Sequence, residues 1–136
     1  MFEVIEHTAD IGFRATGRTQ EELFIESALA LESIAMEIEN AREERVHPLA
    51  ASGQDLESLL VNWLNEVLYY LDGERVVFRR FEIGELSRKR VIARGWGESR
   101  DDQRHPPRLV VKGVTYHLLE VRRESGLWQA RVILDI

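Results

Sequence analysis

The sequence predicts an α+β fold: a single domain over residues 1–136, arranged as a two-layer sandwich with a mixed sheet of about six or seven strands and two long helices on one face. Three observations lead there. Two stretches carry apolar residues at helical spacing. The segments around them carry short β-branched and aromatic runs bounded by turn residues. The chain of 136 residues is long enough for one ordinary core without metal or disulfide staples.

At the N-terminus, "FEVI" and "IGFRA" read as two strands, with "EHTADIGF" spanning the short link between them. Gly17 then supplies a turn, and Thr19 followed by Glu22 reads as a capping box. Leu23, Phe24, Ala28, Leu31, Ile34, Ala35 and Ile38 recur at helical spacing, which predicts an amphipathic helix from about residue 20 to 38. Its other face is expected to hold Glu21, Glu22, Glu26, Glu32 and Glu37. "EERVHPLAA" reads as a strand that Pro48 restricts to an edge or bulge. "DLESLLVNWLNEVLYYLDGE" is a second helix with Leu56, Leu60, Trp63, Leu64, Val67, Leu68 and Leu71 on its buried stripe, ended by Asp72-Gly73. Asn62, Asn65 and Glu66 fall on its polar side, with Asn62 and Glu66 spaced to touch. "RVVFRRFEI", "RKRVIARGW", "VVKGVTYHLLEV" and "LWQARVILDI" are the later strands. "ESRDDQRHPPR" between them is polar and proline-bearing, hence a surface loop.

Charge narrows the function classes. The net charge is −6, which opposes strong direct nucleic-acid binding, because such binding rests on neutralising phosphates. The charge is unevenly divided: residues 1–73 carry 15 acidic and 4 basic groups, and residues 74–136 carry 9 acidic and 14 basic. The acidic helical half could meet a basic protein partner, or it simply keeps two helices solvated. No cysteine is present, so disulfides, thiol nucleophiles and thiolate metal sites are excluded. That composition suits a reducing compartment. No long apolar run and no basic-then-apolar leader is found, so neither membrane span nor signal peptide is expected.

Familiar catalytic patterns are missing. The sequence has no phosphate loop of the Walker type, no GxGxxG, no G-x-S-x-G elbow and no HExxH. His7, His47, His105 and His117 are scattered. An independent enzyme, such as a metal-dependent hydrolase, therefore has little support, and a purely structural binding module remains a rival.

Two features stand out chemically. Of the 18 basic residues only Lys89 and Lys112 are lysine, and Lys112 sits in the apolar run "LVVKGVTYHLLEV". Its compact ammonium differs from the planar fork of arginine, although a snorkelling edge-strand lysine fits as well. The second feature is the ending "RVILDI". Asp135 and the terminal carboxylate of Ile136 lie one residue apart, and Asp10 adds a third carboxylate if the first and last strands are neighbours. Three hard oxygen donors suit calcium, magnesium or manganese. A turn role for Asp10 and simple solvation of Asp135 are the alternatives.

Taken together, "HTADIGF", "LLVNWLNEVLYY", "VKGVTYH" and "VILDI" resemble the archease family, in the family's order and over nearly the whole chain. Gly113 stands where the family usually has alanine. The resemblance implies an accessory protein, not an enzyme: an activator of the tRNA-splicing RNA ligase RtcB that promotes GTP-dependent guanylylation of the ligase and multiple-turnover joining of RNA ends. It implies Asp10, Asp135 and Ile136 as ligands of a divalent cation, with calcium first and magnesium or manganese as alternatives. It implies Asp10, Lys112 and Asp135 as the ligase-activating residues, and a cytoplasmic location. The alternative it carries is a chaperone or specificity modulator of a tRNA cytosine methyltransferase.

Overall fold

The computed structural model describes residues 1–7 and 10–136, and only the backbone of Glu6 and His7. The α+β class is as expected, but the strands divide between two sheets. The larger contains β1 (Phe2–His7), β2 (Asp10–Gly17), β6 (Gly113–Val114), β7 (Glu120–Glu124) and β8 (Leu127–Asp135). Its order is β1-β2-β8-β6, with β7 pairing a different stretch of β8. The smaller has the order β3-β5-β4, from β3 (Arg45–Ser52), β4 (Val76–Leu86) and β5 (Arg90–Ser99). Every strand pair among the described residues is antiparallel, so the expectation of one mixed sheet is corrected on both counts.

Helices α1 (Gln20–Ala35) and α2 (Leu56–Asp72) each touch both sheets. Their side chains also explain why the smaller sheet stays separate. On β3, the Tyr70 hydroxyl donates to Pro48 O at 3.1 Å and Asn62 Nδ2 to Ser52 O at 2.7 Å. On β4, Phe78 N–H donates to Glu32 Oε1 at 2.6 Å. Backbone groups that a further strand would have paired are taken by helix side chains. Pro48 lies on an edge strand, as a residue without an N–H requires.

Local signals set the helix starts. Thr19 Oγ1 accepts from Glu22 N at 3.1 Å, the first half of the expected capping box. In α2 the box is complete between Asp55 and Ser58. The end of α1 differs from expectation. It stops at Ala35 because residues 106–108 dock on it: Glu37 N bonds Pro106 O, Arg108 N bonds Ala35 O, and Met36 forms a β-bridge with Pro107. Ile38 remains in the core without being helical.

The core joins both sheets through Phe13, Phe24, Leu31, Trp63, Phe78 and Val132. The Trp63 indole N–H, fully enclosed, donates to Phe24 O at 3.0 Å. Glu32 departs from the solvent-facing placement that helical spacing predicts: it is fully buried. Its second oxygen has no hydrogen-bond partner among the described residues. Burial pushes its carboxyl up to about 8, outweighing the Phe78 N–H and the Arg100 charge.

The expected surface loop at 98–108 is anchored rather than free. Glu98 is buried, accepts from Arg42 N and Arg104, and lies 3.5 Å from the enclosed His105 Nε2. Burial alone would raise the Glu98 carboxyl; those partners together hold it below the ordinary range.

Candidate functional site

The first and last strands of the sequence reading do converge, through β2 rather than β1. β2 and β8 pair from Ile11↔Leu134 to Gly17↔Trp128. Asp10 and Asp135 each lie one residue beyond the Ile11–Leu134 pair, at the same end of the sheet. Asp10 is therefore the first residue of β2, not part of the link before it. Thr8 and Ala9, within that link, lie outside the described residues.

On the other side of β8, Gly113 pairs with Asp135 and Val114 with Leu134. Lys112 precedes β6, is exposed, and donates its N–H to Asp135 O at 2.7 Å. Topology thus collects Asp10, Lys112 and Asp135 from three distant segments, with Ile136 exposed beside them. The Asp10 side chain is 39% exposed, and its Oδ2 lies 3.8 Å from His117 Nε2.

"VVKGVTYHLLEV" proves to be two short strands around a turn at residues 115–119. Thr115 contributes two bonds, N–H and hydroxyl, both to Ile133 O. Leu119 N bonds Tyr116 O, Arg131 Nε bonds Leu118 O at 2.9 Å, and Leu118 adopts φ 53. A left-handed conformation is uncommon for a bulky residue and persists only where surrounding bonds hold it. The turn presents His117 to Asp10, a pairing that linear spacing did not reveal.

A second unforeseen contributor is Asn65. Its Oδ1 accepts from Val114 N at 3.2 Å, tying α2 to the strand after Lys112. The signal was a polar residue within "LLVNWLNEVLYY", read as solvated. Asn62 likewise spends its amide on Ser52 O.

The donor chemistry fits a hard cation: two carboxylates on neighbouring strand ends, accessible to water that would complete the shell. Among the described residues, no three His, Asp or Glu side chains gather as a metal cage. The expected set contains only two such side chains, its third donor being the terminal carboxylate of Ile136. A surface hollow elsewhere, bordered by Glu3, Arg14, Glu120, Arg122 and Arg131, has its charges paired with one another.

Residues 2–136 match the model of the archease protein family. The chain belongs to the archease family. It is 38% identical to the protein archease of Methanosarcina mazei, over 99% of this chain and 95% of that one. The solution structure of protein 1598 from Methanobacterium thermoautotrophicum is similar with a TM-score of 0.84 and 35% identity, covering 99% of this chain and 98% of that one. A crystal structure from Thermotoga maritima, described as an archease and possible chaperone, has a TM-score of 0.59 at 20% identity, covering 97% and 94%. That second likeness shows the fold alone. No described helix is long and apolar enough to cross a membrane.

Proposed function

We propose that this archease is an accessory protein, without catalysis of its own, that activates the RNA-splicing ligase RtcB in tRNA splicing and RNA repair. In this reading it promotes the GTP-dependent guanylylation of the ligase and so permits multiple turnover. The observation that carries the proposal is the meeting of Asp10, Lys112 and Asp135 at one exposed end of the five-stranded sheet. Family membership supports it.

Asp10, Asp135 and the carboxylate of Ile136 would hold a divalent cation, calcium first and magnesium or manganese otherwise. When bound, the cation supplies positive charge for orienting phosphate oxygens. Lys112 offers a point charge for the same phosphates. Asn65 holds the adjoining strand through Val114, and the 115–119 turn brings His117 against Asp10. These exposed groups act by docking into a partner's site. The ligase is a cytoplasmic partner in this reading.

The test is RNA joining with ligase limiting, with and without the protein, beside Asp10→Ala. Multiple turnover with wild type and none with a folded Asp10→Ala protein is the expected result. Equal stimulation by both would sink the role of the carboxylate end. No stimulation by folded wild type would overturn the ligase assignment and direct the next assay to a tRNA cytosine methyltransferase.

A further inference from the structure

The three-stranded sheet has one face in the core, lined by Leu49, Phe78, Phe81, Val91 and Ala93. Its opposite face is crossed by two rows set by register. Val46, Trp96 and Arg80 form one, and Pro48, Arg94 and Glu82 the next. The first row depends on a bulge. Phe78 pairs with Gly97, but the next pair is Arg80 with Trp96, so Arg79 is the extra residue. A bulge re-aims side chains; here Arg79 and Arg80 are both exposed.

The Arg80 guanidinium carbon lies 3.8 Å from the Trp96 ring centroid and that of Arg94 lies 5.2 Å from it. At the far end the β4–β5 turn carries Arg88 and Lys89, and Arg90 opens β5, all three exposed. That turn is pinned by Ser87 N to Arg90 O and by Gly53 N to Lys89 O, each 2.9 Å. The three strands and this turn hold seven Arg and Lys against three Glu, one of which is the buried Glu98. Glu82 pairs with both Arg80 and Arg94, and Glu43 with Arg80. Arg79, Arg88, Lys89 and Arg90 form no ion pair among the described residues.

We propose that this face binds single-stranded RNA, with phosphates along the Arg88–Arg90 turn and a base against the Arg80–Trp96–Arg94 stack. A sheet face bearing a half-buried aromatic ring beside cations matches how unpaired bases are held. Guanidinium planes add stacking and two-pronged phosphate contacts that lysine lacks. An acidic protein partner would use the charges alone, whereas single-stranded RNA would use the charges and the indole together, which favours RNA. The net charge of −6 is no obstacle, since charges farther away than about 8–10 Å are largely screened at physiological salt. The inference goes beyond the ligase reading, and its test uses the protein alone, so either can fail without the other.

The experiment is fluorescence anisotropy of a labelled single-stranded RNA 12-mer, titrated with the full chain at 50 and 200 mM salt. Saturable binding at the lower salt, weaker by about tenfold or more at the higher, is expected for contact with three or more phosphates. Trp96→Ala weakens binding by about fivefold or more, the loss of one stacked base, while Trp96→Phe retains most of it. The triple change Arg88→Glu, Lys89→Glu and Arg90→Glu, at an exposed turn that leaves the melting curve intact, removes most binding. Arg123→Ala, on the other sheet, binds like wild type. Absence of saturable binding by the folded chain overturns the proposal. So does binding that survives both the Trp96 and the triple change, or binding of a duplex as tight as that of the single strand.

Discussion

Asp10, Lys112 and Asp135 come from opposite ends of the chain, whereas Arg80, Arg94 and Trp96 come from one hairpin and its register. The first group exists only because β8 lies between β2 and β6. The second needs only the β4–β5 pairing and its bulge. The carboxylate end is therefore a product of topology, and the arginine face a product of local sequence. The difference also shows what a net charge leaves out. A whole-chain sum combines the Glu-bearing helices with a sheet whose charge has the opposite sign.

The strongest way to break this comparison is to separate the strands behind the arginine face. A Cβ at Gly97 would lie 1.9 Å from Val77 O, in the backbone of the paired strand. Gly97→Ala is expected to cost about 3 kcal/mol, measured as a lowered urea midpoint. It should weaken RNA binding more than cation binding, because the carboxylate end is built on the other sheet.

Glu32 joins the two halves, reaching from α1 to the open edge of β4. Its carboxyl is raised to about 8 from an ordinary 4.5. The folded state therefore keeps a proton that the unfolded state releases. The stabilisation is fully present below about 4.5 and is lost as pH rises through 8. Stability should fall by at most about 1.4 kcal/mol per pH unit across that window. Glu32→Gln keeps an acceptor for Phe78 N–H and should flatten the fall in urea titrations at pH 5, 6.5 and 8. Glu98 works in the opposite sense: its carboxyl is depressed, so its contribution is present above the ordinary carboxylate range and disappears as pH drops.

Asn65→Ala sharpens the comparison at the carboxylate end. Losing the acceptor for Val114 N–H should cost about 1–2 kcal/mol and reduce ligase stimulation while leaving RNA affinity unchanged. Gly113→Ala gives the smallest effect. A Cβ there meets nothing within 4 Å, so a melting scan should show a change within about 0.5 kcal/mol.

Much of the fold was legible locally. The Thr19 cap, the edge position of Pro48 and the apolar stripe of α2 were correct, because each depends on bonds or contacts a few residues apart. Asn65 is exposed as its spacing predicts, and only its bond to Val114 N–H was hidden, whereas Glu32 is buried against its expected placement. Helical spacing identifies the face opposite the main stripe, but not whether a strand from elsewhere covers it. The break at residues 115–119 was also missed, since Leu118 gives no hint of a positive φ. Its turn is held by Ile133 and Arg131 of β8.

By itself, the sequence determined the α+β class, most elements, the archease motifs and the identity of Asp10, Lys112 and Asp135 as candidate residues. Periodicity, caps and motifs are short-range properties, readable without a partner. Tertiary structure alone decided that the strands form two sheets, that Glu32 is buried and that His117 meets Asp10. Each of those depends on which distant backbone lies alongside, a matter of pairing and register that local pattern does not encode.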